Sequence, residues 1–158
     1  MATGLWANRK SFGLDSYRVG SSTAAWNRII MQDAITGKIY EPSLDAFNED
    51  GETIAIEITL PTLEASRARV TMYTFEVYCE TGVGLNSGQG SDPQIMMMYS
   101  DDGGRTWSNE LWRSLGLIGQ YKTRAIWRRL GQFRQRQIKL TISDPVRKLV
   151  MGYYTDVR

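Results

Sequence analysis

The sequence predicts an all-β protein: an antiparallel β-sandwich, or an incomplete β-propeller-like domain, of about eight to ten short strands. Three observations predict it. Several segments alternate apolar and polar residues with the period of two that a half-buried strand requires. These segments recur at short spacing between clusters of Gly, Asn, Asp and Pro that signal turns. The run Ser100-Asp101-Asp102-Gly103-Gly104-Arg105-Thr106-Trp107 has the composition of a tight turn between strands. Gly104 supplies a positive φ that a Cβ would oppose. The Asp102 carboxylate can fold back onto exposed N–H groups of the turn. Thr106 and Trp107 then restart a strand, with an indole large enough to fill the gap beneath.

Taken in order, residues 1–36 are poorly patterned, and 37–158 read as a single antiparallel β domain. Gly4, Gly13 and Gly20 punctuate the first segment, and 24–31 fits a helical turn or a strand equally well. Lys38-Ile39-Tyr40 reads as a short strand, and Asn48-Glu49-Asp50-Gly51 as a turn. Thr53 to Leu60 alternates, with Ile54, Ile56, Ile58 and Leu60 on one face. Pro61 ends it, and 62–69 is a connection. Val70 to Cys79 is rich in β-branched and aromatic residues. Its pattern puts Tyr73, Phe75 and Val77 on one face and Val70, Met72 and Tyr78 on the other. The Gly-rich run 81–93 lacks the Lys-Ser or Lys-Thr of a phosphate loop and precedes a strand, so it reads as a connecting loop. Gln94 to Ser100 is the next strand, its three methionines reading as packing. Short strands follow around Leu111 and between Lys122 and Leu130. Arg134 to Ser143 alternates with Ile138, Leu140 and Ile142 inward; Asp144-Pro145 turns the chain; Lys148 to Tyr154 closes it.

The 158 residues suit one domain, and 42% hydrophobic residues suffice for a core. No segment is long and apolar enough to span a bilayer as a helix, and no secretory signal is visible at the start. The chain has no histidine, which removes the commonest general base and metal ligand. Its one cysteine, Cys79, reads as a buried, inert strand residue. No metal site or cofactor is expected, and no enzyme activity. Residues 1–100 hold 7 basic and 12 acidic side chains, a net −5, whereas 101–158 hold 12 and 5, a net +7. Such asymmetry fits neutralisation within the fold or contacts between copies. A nucleic-acid surface ranks below both, because the basic residues alternate with apolar ones. The Trp and Arg cluster of Trp112, Arg124, Trp127, Arg128 and Arg129 is either a basic outer face with tryptophans in the core or a subunit interface.

Ser100, Asp102, Gly104, Thr106 and Trp107 fit the spacing Ser-x-Asp-x-Gly-x-Thr-Trp. That spacing resembles the Asp-box, a structural hairpin signature of sialidases and other β-propellers. No second copy of it and no repeat is present, so a whole propeller is not supported. The ordered series 100–110, Gly119 to Arg124, Trp127 to Gly131 and Ser143 to Val146 resembles the packaged-DNA stabilisation proteins of short-tailed bacteriophages, also known as tail hub or tail accessory proteins. Glu80 to Gly84, Ser91 to Gln94 and Gly37 to Tyr40 fit the same pattern. The resemblance is strongest over 80–152. Members of that family are generally longer, and this sequence looks like the C-terminal part of one, whether as a fragment, a split gene or a stand-alone relative. The resemblance implies a non-enzymatic component of the virion, assembled in the host cytoplasm. Copies would form a ring that closes the DNA exit channel, contacting portal or adaptor proteins and tail spikes or fibres. The Asp-box alone suggests an alternative, a carbohydrate-binding or sialidase-like module.

Overall fold

The computed structural model describes residues 10–64, 66 and 68–158. The chain forms two compact units, Met1–Ile54 and Ala55–Arg158. Among the described residues there are fourteen strands and no helix, and five of the strands are two-residue pieces.

In the first unit, β1 (Val19–Ala25) and β2 (Arg28–Asp33) pair antiparallel, and β3 (Ile39–Tyr40) adds to β2. Trp26 and Asn27 join β1 to β2, both at positive φ (49° and 59°). That is the two-residue turn whose twist matches a hairpin. The ambiguous stretch 24–31 is therefore strand, turn and strand. β4 (Asn48–Glu49) and β5 (Glu52–Thr53) form a second hairpin around Asp50-Gly51, again at positive φ (53° and 85°). The units divide at 54/55, beyond the 36/37 division that the pattern suggested. The reason is polar stitching. Arg18 donates to the Glu49 carbonyl (3.5 Å) and lies 3.4 Å from the Asp50 carboxylate, and the Tyr40 hydroxyl donates to Asp33 (3.2 Å), so 37–54 folds back onto 18–36. The expected strand 53–60 is split by this division.

The second unit is a sandwich of two antiparallel sheets. One has the order β10 (Leu111–Ser114), β9 (Gln94–Ser100), β13 (Gln135–Ile142), β6 (Ile56–Thr59), with β7 (Leu63–Glu64) also on β13. In the other, β8 (Val70–Cys79) bonds β11 (Ala125–Arg128) and β12 (Gln132–Phe133) along one edge and β14 (Val150–Val157) along the other. Only Arg134 separates β12 from β13, so the chain changes sheets there. Met72, Phe75, Val77, Trp127 and Phe133 from one sheet meet Ile95, Met97, Ile138, Leu140 and Ile142 from the other in a single core.

The face assignment of β8 changes along its length. Phe75, Val77 and also Met72 are buried, whereas Tyr73 is exposed. Asp156 pairs with Thr74 but the next residue, Val157, pairs with Met72. Tyr73 is thus the extra residue of a β-bulge, which reverses the inside–outside alternation. Opposite it, Arg129 takes a positive φ of 60°, and its N–H and that of Leu130 bond the Tyr73 and Met72 carbonyls (3.0 and 3.1 Å).

Candidate functional site

β9 ends at Ser100, which delivers a buried hydroxyl to the start of the 100–107 turn. The Ser100 hydroxyl donates to Asp102 Oδ1 (2.7 Å) and accepts the Gly104 N–H (2.9 Å). Asp102 Oδ1 accepts the N–H groups of Arg105 and Thr106 (2.9 Å each), and Oδ2 accepts the Thr106 hydroxyl (2.6 Å). One carboxylate thus holds both sides of the loop. The Thr106 hydroxyl and N–H, then Ser100 and Arg105, hold the Asp102 carboxyl far below its ordinary value. Gly104 sits at φ 89°, and a Cβ there would lie 3.1 Å from Gln137 Oε1.

Thr106 and Trp107 do not restart a strand. The Arg105 and Thr106 N–H groups are spent on Asp102, and β10 begins only at Leu111. Trp107 nonetheless lies against the turn, its Cζ2 3.8 Å from where a Cβ on Gly104 would stand; it is half-buried, with Lys139 Nζ 4.6 Å from its ring centre. Ser108 ties the loop back, bonding both N–H and C=O of Tyr99 (3.1 and 2.9 Å).

Asp101, beside Asp102, does a different job. It takes a two-pronged bond from Arg136 (Nε 2.6 Å, a terminal nitrogen 2.7 Å). Arg136 is 2% exposed, lies between the Tyr99 and Phe133 rings (4.2 and 4.5 Å to the centres) and donates to the Leu130 carbonyl (2.7 Å). Sequence reasoning passed over this residue. The signal was present: Arg136 has the same parity as Ile138, Leu140 and Ile142, the inward face of β13.

The five candidate interface residues separate. Trp127 is 1% exposed, and its indole N–H donates to the Leu111 carbonyl (2.9 Å). It belongs to this chain's core and not to any surface. Trp112, Arg124, Arg128 and Arg129 are exposed. Arg124 makes a two-pronged bond to Glu76 (2.7 Å on both prongs), and this pairing lowers the Glu76 carboxyl. Arg128 also acts electrostatically on Glu76 from the outer face of the same sheet. Lys139–Glu57 (3.2 Å) and Arg147–Glu80 (3.2 Å) likewise join basic residues of the second half to acidic residues of the first. Part of the charge asymmetry is therefore neutralised inside the sandwich unit.

In the first unit, buried Asp33 accepts the N–H groups of Ile35 (2.7 Å) and Thr36 (2.9 Å) and the Tyr40 hydroxyl (3.2 Å), with Arg18 Nε at 3.5 Å. The Thr36 and Ile35 bonds lower its carboxyl to about 2. Half-buried Cys79 has its thiol pushed up to about 11 by desolvation, which leaves it unreactive at neutral pH. Among the described residues, no three His, Cys, Asp or Glu side chains gather to hold a metal ion.

These features define a β-sandwich whose polar side chains act as braces for loops and sheet faces. The family model for bacteriophage P22 Gp10, β-sandwich, matches residues 55–157, nearly the whole second unit. The chain belongs to that family, and it is an all-β bacteriophage structural protein. No curated protein matches the chain.

Proposed function

We propose that the protein is a structural tail component of a short-tailed phage, a hub or connector whose copies form a ring in the virion. In this role it helps close the DNA exit channel and holds adjoining portal, adaptor and spike or fibre proteins. The observation that carries the reading is the family match across the sandwich unit. The polar groups support it: Asp101, Asp102, Asp33 and Glu76 are all committed to braces within the fold. The role requires shape and docking and no bond-making chemistry.

Exposed Trp112, Arg128 and Arg129 are the surface we assign to contacts between copies, since exposed Trp and Arg supply binding energy out of proportion to their area. The test is assembly on tail-less, DNA-filled particles. Added protein is expected to retain the DNA and to appear as a ring by electron microscopy. Arg128→Glu with Arg129→Glu is expected to abolish the ring without changing the circular dichroism spectrum. A ring that forms unchanged in that variant removes the assigned surface, and particles that hold their DNA equally well without the protein remove the function.

A further inference from the structure

Lys139, Arg147 and Arg124 are paired with acidic residues of the first half, but several other arginines gather unpaired at one end of the second sheet. Alternation of basic with apolar residues does not scatter charge; it collects it on one face of a strand. The pairing gives that face row by row, since residues directly opposite in a sheet share it. Trp127, Phe75 and Thr155 form an inward row, with Trp127 and Phe75 in the core. The next row, Arg128, Thr74 and Asp156, therefore points outward. The bulge at Tyr73 then resets the alternation. Met72 is in the core, and Thr71 is outward again, with Gln132 opposite it on one side and Arg158 on the other. Arg158 and Thr71 exchange both backbone bonds (3.0 and 2.7 Å). Arg69 and Arg134 stand just beyond the inward Val70–Phe133 pair. Arg69, Arg128, Arg134 and Arg158 are all exposed, as is Tyr73 between them.

Little on the face neutralises them. Glu76 is taken by Arg124, and Asp156 lies 3.7 Å from Arg158 Nε. Among the described residues, the side chains of Arg69 and Arg134 make no ion pair and no hydrogen bond. Like charges crowded on one sheet face destabilise it unless counter-charge comes from outside. We propose that this end of the face binds the phosphate backbone of DNA, without regard to base sequence, through Arg69, Arg134 and Arg158, with Gln132 and Thr71 as hydrogen-bond donors. The composition fits a nucleic acid better than a protein. Protein interfaces are depleted of charge at their centre, whereas nucleic-acid interfaces are polar and strongly positive. The ring of Tyr73 is occupied by the Arg158 guanidinium, 5.7 Å from its centre, so the aromatic group orders an arginine and offers no free platform for a base. Gln132 and Arg158 stand two strand spacings apart, about 10 Å. A duplex carries one charge per about 1.7 Å of its axis, so this width spans several phosphates. That the DNA is the packaged DNA rests on the tail role proposed above; the binding itself does not. Arg128 and Arg129 stay assigned to contacts between copies.

The test is fluorescence anisotropy of a labelled duplex of random sequence titrated with the full chain at several salt concentrations. Wild type is expected to bind, with log affinity falling against log salt at a slope of about −3, as three or four phosphate contacts give. Arg69→Gln with Arg134→Gln removes two of them. Affinity in low salt is expected to weaken at least about tenfold, and the slope to flatten by about 2. Lys122→Gln with Arg147→Gln removes the same charge beyond the other end of β8, where Arg147 meets Glu80 and the Thr81 hydroxyl bonds the Tyr121 carbonyl (3.1 Å). That control is expected to stay within about threefold of wild type. Arg69 and Arg134 hold nothing in the fold, so their variant is expected to keep the wild-type urea midpoint. In wild type, added duplex is expected to shift the amide resonances of Thr71, Tyr73, Gln132 and Arg158 most, a readout that needs no variant. A wild type that binds no duplex in low salt, as it would if the face served an acidic segment of another virion protein, overturns the proposal. So do equal weakening of both double variants and amide shifts centred elsewhere. The titration uses free chain without particles, so failure of DNA binding and failure of the ring are seen separately.

Discussion

At the scale of the residue, two aspartates set the acid limit of this protein. The Asp102 carboxyl is held well below its ordinary value by Thr106, Ser100 and Arg105, and that of Asp33 is lowered to about 2 by Thr36 and Ile35. In both cases the folded value lies below the unfolded one, near 3.8. As pH falls, the unfolded chain takes up these protons first, so the two residues' contribution is present above the unfolded value and is withdrawn as pH drops through the folded one. Urea midpoints are expected to change little from neutral to about pH 5 and to fall steeply between about pH 4 and 2. Asp102→Asn should lower the neutral midpoint and flatten the acid limb for the sandwich unit; an acid limb identical to wild type contradicts this. Arg136 supports a second prediction. Its guanidinium is enclosed by two rings, Asp101 and a carbonyl, so Arg136→Ala leaves both a void and an unpaired Leu130 carbonyl. Breaking a buried pair costs about 3–5 kcal/mol, and because Asp101 is partly open to water the lower end is expected, near 3. Arg136→Met fills the volume between the rings and is expected to recover part of that loss. Lysine cannot reproduce the two-pronged bond and is expected to recover less than Met. Chemical denaturation of the three variants ranks them.

At the scale of the element, the strands were legible where alternation and β-branched residues coincided. β8 and β9 occupy the stretches 70–79 and 94–100 that the pattern indicated, and inward Ile138, Leu140 and Ile142 are buried in β13. What stayed hidden depends on pairing between distant segments. Nothing local to Tyr73 announces a bulge; it exists because β14 on one side and the Arg129–Gly131 bend on the other bond around it. Likewise Thr106 and Trp107 carry good strand propensity, but a carboxylate four residues earlier captured the backbone first. Trp127 and Trp112 look alike in sequence, and only the sheet pairing puts one in the core and leaves the other exposed. The β1–β2 hairpin escaped notice because its turn uses Trp26 where Asn or Gly is usual. That residue is 86% exposed and sits in the left-handed region, which opposes a bulky side chain. Trp26→Asn with Asn27→Gly supplies the preferred turn pair and removes no core contact. It is expected to raise the midpoint of thermal unfolding, or to leave it unchanged if Trp26 contributes elsewhere in the unfolded chain; a fall of several degrees contradicts a simple turn role.

At the scale of the whole molecule, the family match and the compact second unit coincide, beginning at residue 55 in both cases. Every residue of the core lies within this unit, from Ile58 to Val150. So do the ion pairs that join its acidic and basic stretches, Glu57–Lys139, Glu76–Arg124 and Glu80–Arg147, and the Asp101–Arg136 pair. Residues 55–158 therefore carry the core cluster and these ion pairs. A unit of this size buries enough surface to fold alone without a disulfide or a metal. The isolated segment 55–158 is expected to be soluble, to show the near-ultraviolet circular dichroism of immobilised Trp127 and its aromatic neighbours, and to unfold in one cooperative transition. Trp127→Ala in the same segment removes a fully buried indole and is expected to cost about 3–5 kcal/mol. A segment that binds hydrophobic dyes and lacks the aromatic signal would show that the sandwich needs residues 1–54 to complete its core, and would contradict the division at 54/55.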